Sequence, residues 1–228
     1  MPQYTKPSLA TWLGDRLHKA LKLYFYNRNT GLHTQDPFAP LHAQLSTHFR
    51  HYRLRYGVRS RNLHSGWTEY QVRWWVMGSV KRFVKIFNSH SPSWFKEEWP
   101  LDLVYMDEAG KHITHLGEPD IVFYSTRLKA YVVMDFKTAD DNGKYVNNGR
   151  PGDIKKWDKL LGYAYGAKQK LRLEYGWYMK PVYIAYVVFP RQKVRKGRMP
   201  NIEILTEYVR PQRLYRWKKR FLKRKAAS

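Results

Sequence analysis

The 228-residue chain contains no cysteine. That excludes disulfides, thiolate-bound zinc and Cys-ligated iron–sulfur clusters, so packing alone must hold the fold. Acids are scarce: 18 Asp and Glu stand against 42 Lys and Arg, a formal charge of +24. Such an excess points to a polyanionic partner, nucleic acid first. No apolar run approaches the roughly 18 residues of a membrane span, and the opening MPQYTKPSLATW lacks the charged-then-apolar profile of a secretory signal. The expectation is therefore a soluble, cytoplasmic protein with no membrane partner. Internal repeats and low-complexity segments are absent as well. Rings, by contrast, are abundant, with nine Trp and eighteen Tyr. Most belong in a core, and any exposed remainder is a stacking surface for bases. At this length one sizeable core is expected, a single domain with a helical region over 1–91, a core over 92–189 and a basic segment over 190–228.

One stretch demands a chemical explanation as well as a folding one: Gly117 to Asp140, GEPDIVFYSTRLKAYVVMDFKTAD. Two runs rich in β-branched and aromatic residues, Ile121 to Tyr124 and Ala130 to Met134, flank a polar turn, which predicts a β-hairpin. Asp120 precedes the first strand and Asp135 closes the second, so an antiparallel pair returns both acids to one end of the sheet. Lys137 lies two residues beyond Asp135 and shares its face of the strand. Hard divalent cations take carboxylate oxygens, water and phosphate, and they stabilise charge developing on a phosphodiester. A lysine beside such an ion can orient the attacking water or offset the anionic transition state. Taken singly, charged residues at strand ends are usually solvated turn residues, and it is the joint pattern, Pro-Asp entering one strand and Asp-Phe-Lys-Thr leaving a very hydrophobic one, that shifts the balance.

Pro119-Asp120, the hairpin and Asp135-Phe136-Lys137 together resemble the signature of the PD-(D/E)xK nuclease superfamily. The form Gly-x-x-Asp-Ile-Val followed by Asp-Phe-Lys-Thr is most similar to its RecB-type branch, which includes nuclease domains of helicase-nucleases and the CRISPR-adaptation exonucleases. The resemblance implies a mixed α/β fold, a restriction-endonuclease-like core with a central mixed β-sheet flanked by helices, here with an N-terminal helical region and a basic C-terminal helix or tail. It implies Mg²⁺ or Mn²⁺ bound by Asp120, Asp135 and the Phe136 carbonyl, with Lys137 catalytic. Glu98-Trp99-Pro100-Leu101 is similar to a strand that precedes the hairpin in this branch, which makes Glu98 a third acid, in competition with Glu97. The branch also carries a helix with Gln-Leu-x-x-Tyr-Ala. Here the sequence is Lys159-Leu160-Leu161-Gly162-Tyr163-Ala164, so Tyr163 matches and Lys159 replaces the glutamine. Many relatives carry a Cys-bound iron–sulfur cluster, from which this cysteine-free chain departs. Their upstream histidine has no clear counterpart among His48, His51 and His64, which fall in expected helices, and His112 and His115 read as ordinary strand or turn residues.

Elsewhere the periodicity predicts a helix after an N-cap at Ser8 to about Tyr26, a loop over Leu32 to Pro40, and a helix over Leu41 to Tyr56 with Arg50, Arg53 and Arg55 on a basic face followed by Arg59 and Arg61. A helix from Gly66-Trp67 to Phe87 is too apolar to be exposed. Trp94 to Met106 reads as a strand pair or one bent strand before a turn at Asp107 to Gly110. Asp140 to Gly152 is a polar connection, Asp153 an N-cap, and Ile154 to about Leu171 a helix that sets Lys159 and Tyr163 on one face. Val182 to Phe189 is a strand. Then come a basic loop with Arg191, Lys193, Arg195, Lys196 and Arg198, a strand over Asn201 to Val209, and a tail whose Lys218, Lys219 and Arg220 belong to a helix ending near Leu222. The expectation is a metal-dependent deoxyribonuclease acting on single- or double-stranded DNA, with a helicase or other recombination protein as a further partner. A non-catalytic nucleic-acid-binding protein on the same scaffold is the alternative.

Overall fold

The computed structural model describes residues 7–32, 36–58, 62–64, 66–108, 110–139, 146–147, 150–151, 154–177, 180–193 and 199–226. Residues group into two compact units: 1–86 with 137–141 and 189–202, and 87–136 with 142–188 and 203–228. The division runs through three continuous elements, so the units share strands and a helix by sequence.

The first unit is helical. Helix α1 (Leu9–Asn29) starts where the Ser8 hydroxyl accepts from the Thr11 amide at 3.1 Å, the expected cap. Helix α2 (Ala39–Tyr56) opens with a proline in its first turn and closes on Gly57, whose φ of +63° supplies the left-handed C-terminal residue. Strands β1 (Asn62–His64) and β2 (Trp67–Thr68) form a short antiparallel pair before α3 (Glu69–Ser89). His64 therefore lies in a strand and not in a helix, and α3 starts two residues after the predicted Trp67. Rings hold the helices together. Trp12 meets Phe49 at 6.4 Å and Tyr52 at 4.8 Å, Phe25 meets Phe83 at 6.2 Å, and Phe83 meets Phe189 at 6.3 Å. The buried Trp75 indole donates to the Pro190 carbonyl at 2.7 Å, which satisfies its one polar atom.

The second unit contains the central sheet. Its strands are β3 (Pro92–Glu97), β6 (Ile121–Ser125), β7 (Ala130–Ala139), β10 (Val182–Pro190) and β11 (Glu203–Tyr208), in the order β11-β10-β7-β6-β3. Three of the four junctions are antiparallel. The fourth is parallel. The Tyr131 amide donates to the Pro181 carbonyl where β7 and β10 begin, and the Arg191 amide donates to Ala139 where they end. A parallel junction needs a crossover, which α4 (Ile154–Tyr175) supplies. This mixed α/β architecture, a five-stranded sheet flanked by helices with a helical N-terminal region and a basic C-terminal helix, agrees with the expected fold class. Almost every residue of β7 and β10 is buried, as strands covered on both faces require.

Strand β4 (Leu101–Asp107) leaves this sheet and pairs with β5 (Gly110–Gly117), while β8 (Val146–Asn147) pairs with β9 (Arg150–Pro151). Helix α4 lies on the β4–β5 hairpin: the Gln169 side chain donates to the Val104 carbonyl at 3.0 Å and accepts from its amide at 3.3 Å. The final helix, α5 (Pro211–Ala226), packs Leu214 and Trp217 inward and outlasts its predicted end by four residues. Trp217 lies so close to α4 that a Cβ on Gly162 would meet its ring at 2.9 Å. No helix among the described residues is long and apolar enough to cross a membrane.

Candidate metal and phosphate site

The hairpin forms where the sequence places it, in the register Ile121↔Met134 to Ser125↔Ala130. Asp120 therefore arrives beside the last paired residues of β7. Its carboxylate Oδ2 accepts a hydrogen bond from the Phe136 amide, which ties the two ends of the motif together. Asp135 is 3% exposed and Phe136 is buried beside it. A carboxylate taken from water to that degree needs cations or donors nearby to stay ionised. Lys137 follows two positions on, half-buried, at the point where β7 passes into the first unit, and strand alternation gives it the same face as Asp135.

Helix α4 brings the remaining pieces. The Lys159 ammonium stands 3.9 Å from Asp135 Oδ1 and 5.0 Å from the centre of the Tyr163 ring. Burial lowers the pKa of Lys159, but the hydrogen bond to Tyr163 and the negative charges of Asp135 and Asp120 outweigh it, so the ammonium is held charged above its usual range. The expected shared face of Lys159 and Tyr163 is thus realised. Tyr163 is itself 2% exposed. Its ring occupies the space above Gly117, where a Cβ would lie 3.1 Å from the phenol oxygen. The backbone there has φ +103°, which only glycine adopts readily. In the sequence, the only signal of this role is the position of Gly117, three residues before Asp120.

Glu98 sits just past β3 with φ +41°, an uncommon conformation for a residue with a side chain, and its amide donates to the Asp120 carbonyl at 3.3 Å. The backbone of Glu98 therefore abuts Asp120, while the side chain is exposed. Glu97 ends the strand opposite Ile121. Among the described residues no three His, Cys, Asp or Glu side chains gather as a metal-ligand cluster. The Asp120 and Asp135 carboxylates are hard oxygen donors, of the kind that suits an ion such as Mg²⁺ that binds through one or two carboxylates and keeps water and phosphate as its other ligands.

The basic residues predicted to grip phosphate divide between the units. In the first, Arg50 is exposed on α2, Arg53 pairs with Glu69 at 2.8 Å, and the Arg55 guanidinium stands 5.8 Å from the Tyr56 ring. The Arg191 amide is used in the β7–β10 junction, Lys193 donates to the Gly66 carbonyl at 3.2 Å, and Arg195 lies outside the described residues, as do Arg59, Arg61, Asp140, Asp153, Lys196 and Arg198. In the second unit, Lys218 and Lys219 stand over Tyr165 and Tyr215 at 5.8 and 5.3 Å. Arg220 is held by Asp158 at 3.0 Å, together with Arg224 at the same distance. His48 and His51 are on α2. On β5, His112 stacks on Tyr105 and His115 meets Asp102 at 3.0 Å, an ordinary strand setting for both.

No known family and no curated protein matches the chain. Several solved structures show slight likeness. One is the crystal structure of SSO0001, with 10% identity and a TM-score of 0.31 over 92% of this chain and 84% of that one. Another is a "putative exonuclease" from Eubacterium rectale, with 13% identity and a TM-score of 0.33 over 95% of this chain. The chain spans 65% of the length of that second protein. Likeness this slight carries no argument about activity.

Proposed function

We propose that the chain is a metal-dependent nuclease of the PD-(D/E)xK kind that hydrolyses phosphodiester bonds in DNA. The observation that supports this reading best is the closure of the hairpin, in which the Asp120 carboxylate accepts from the Phe136 amide, next to the buried Asp135 and within reach of the charged Lys159. Solvated strand-end charges have no reason to converge in this way.

Asp120, Asp135 and the Phe136 carbonyl would hold Mg²⁺ or Mn²⁺, with Glu98 a further oxygen donor at the edge. Such an ion supplies Lewis-acid stabilisation of the phosphate and a more acidic bound water. The chain's own groups orient and neutralise. Asp120, fixed by the Phe136 amide, presents its second oxygen in one orientation. Lys137 directs the attacking water and offsets the negative charge that builds on phosphorus oxygens. Lys159 takes the place that glutamine holds in the RecB-type branch, and as a permanent cation it can grip a non-bridging oxygen directly. Tyr163, wedged over Gly117, keeps Lys159 at that height on the helix.

The test is cleavage of single- and double-stranded DNA by the purified chain in Mg²⁺ or Mn²⁺. Asp135→Asn and Lys137→Ala should each lower the rate by on the order of 10²-fold or more. Cleavage that survives both substitutions would sink the assignment. The charge of +24 favours one other reading, a nucleic-acid-binding protein without catalysis. It predicts salt-sensitive binding that needs no divalent ion, and no cleavage under any condition.

A further inference from the structure

The first unit holds a pocket of about 590 Å³ between α1 and α2, within the range of small-ligand clefts, roughly 300–1,000 Å³. Its floor is aromatic. Trp12 and Tyr52 are buried there with ring centres 4.8 Å apart, and the half-exposed Tyr56 continues the row 4.8 Å from Tyr52. Its rim is cationic. Arg16, Lys19 and Arg55 line it against a single acid, Asp15, which pairs with both Arg16 and Lys19, the latter at 3.1 Å. One carboxylate thus faces three permanent cations.

Arg16 Nε and His48 Nδ1, both in this pocket, are buried without a hydrogen-bond partner among the described residues. A buried guanidinium N–H with no acceptor is costly, and an anion entering the pocket would supply one. Burial, then the positive charges of Arg16 and Lys19, push the His48 imidazole down to about 4, so at neutral pH it adds no charge of its own and can donate or accept. Its surroundings from both helices are Arg16, Lys19 and Asp15 on α1 and His51 on α2. A bare inorganic anion would use only the rim. A ligand with both a phosphate and a flat ring uses the rim and the floor.

We propose that this pocket binds a nucleotide, its phosphate on Arg16, Lys19 and Arg55 and its base against the row formed by Tyr52 and Tyr56. This site is built by other residues than the hairpin and does not depend on the nuclease reading. The same chemistry is offered by a free nucleotide and by a nucleotide within a strand.

Calorimetric titration of the full chain tests it with three probes: deoxyadenosine 5′-monophosphate, inorganic phosphate and deoxyadenosine. The monophosphate should bind at one site, phosphate roughly tenfold or more weakly, and the nucleoside without measurable heat. Arg16→Gln should weaken the monophosphate by roughly tenfold or more, since a charge-assisted contact is lost. The exposed Lys19→Gln gives the same direction should Arg16→Gln fail to fold. By NMR, the monophosphate should raise the midpoint of the His48 imidazole, because an adjacent anion favours the protonated ring. Asp135→Asn should leave this binding intact, which separates its failure from that of the hairpin. Displacement by a short oligodeoxynucleotide without terminal phosphates assigns the site to a strand, and persistence assigns it to the free nucleotide. The proposal is overturned if phosphate binds as tightly as the monophosphate. It is overturned equally if neither substitution matters, or if Lys218→Gln with Lys219→Gln removes the binding to the same extent, which would mark general attraction to a basic chain.

Discussion

Gly117 is where a single methyl group tests the architecture around the hairpin. Its φ of +103° is strained for any residue with a Cβ, and that Cβ would meet Tyr163 at 3.1 Å. Gly117→Ala should therefore cost roughly 1–3 kcal/mol of stability, measured by urea denaturation. Adding Tyr163→Leu should recover the part due to the ring contact and leave the part due to the backbone. A cost that vanishes entirely in the double variant would mean that the backbone there is not strained. His48 provides a second test at this scale, through pH. Its folded-state pKa lies near 4 against an ordinary 6.5, so between these values the unfolded chain binds a proton that the folded chain refuses. The stability contributed by the neutral ring is complete above about pH 6.5 and is lost as pH falls toward 4. His42 and His90 are lowered too, first by burial, and act in the same direction. Melting temperatures taken across this window should decline on acidification, and His48→Gln should flatten part of the decline. An unchanged profile in that variant would show that His48 is solvated.

The attachment of α5 to α4 sets packing against charge. Arg220 and Arg224 both reach Asp158 at 3.0 Å, but each guanidinium is largely in water, and exposed pairs contribute about 0.2–1 kcal/mol. Trp217 is 3% exposed and lies against Gly162. Trp217→Ala should cost about 3–5 kcal/mol, several times more than Asp158→Ala. Denaturation midpoints of the two variants decide it, and a larger loss from Asp158→Ala would reverse the ranking. Which elements could be read in advance follows the same logic of local against distant causes. The hairpin, α1, α4 and β10 were legible because a cap, a helical period or a run of β-branched residues is written in adjacent positions. The stretch after Trp94 stayed open between a strand pair and a bent strand. Its resolution depends on Glu98, where φ +41° turns the chain out of the central sheet so that β4 pairs with β5. Nothing in a glutamate announces that conformation. In the candidate site, the convergence of Asp120 and the Asp135 end of β7 was legible from hairpin closure. The packing of Tyr163 on Gly117 was not, since it arises only when α4 crosses over the sheet. The pocket between α1 and α2 was also hidden: Asp15, Arg16 and Lys19 look like a solvated helix face until α2 is set beside them.

At the scale of the whole chain, the charge of +24 is the strongest single fact, and it separates grip from cleavage. Cations that neutralise phosphates release counterions, so the logarithm of the binding constant for DNA falls linearly with the logarithm of salt concentration, with a slope that counts the contacts. Helix α5 exposes Arg216, Lys219 and Lys223 on the side away from its buried Leu214 and Trp217, whereas Lys218 stands over Tyr165 of α4 and Arg220 and Arg224 are committed to Asp158. If the helix lies on the backbone of DNA, replacing Arg216, Lys219 and Lys223 by glutamine should lower the magnitude of the slope by up to about three, roughly one for each lost contact. The substitution should weaken binding to all sequences alike, since phosphates carry no sequence information. Fluorescence anisotropy in EDTA, over a series of salt concentrations, reads this without any metal-dependent step. Asp135→Asn should bind at least as well as the unaltered chain in the same experiment, because it removes a negative charge near the proposed path of phosphate, while losing cleavage in Mg²⁺ or Mn²⁺. Binding that disappears together with cleavage in Asp135→Asn would instead tie the grip to the hairpin itself, and a slope unaffected by the three glutamines would place the phosphate contacts on other parts of the chain.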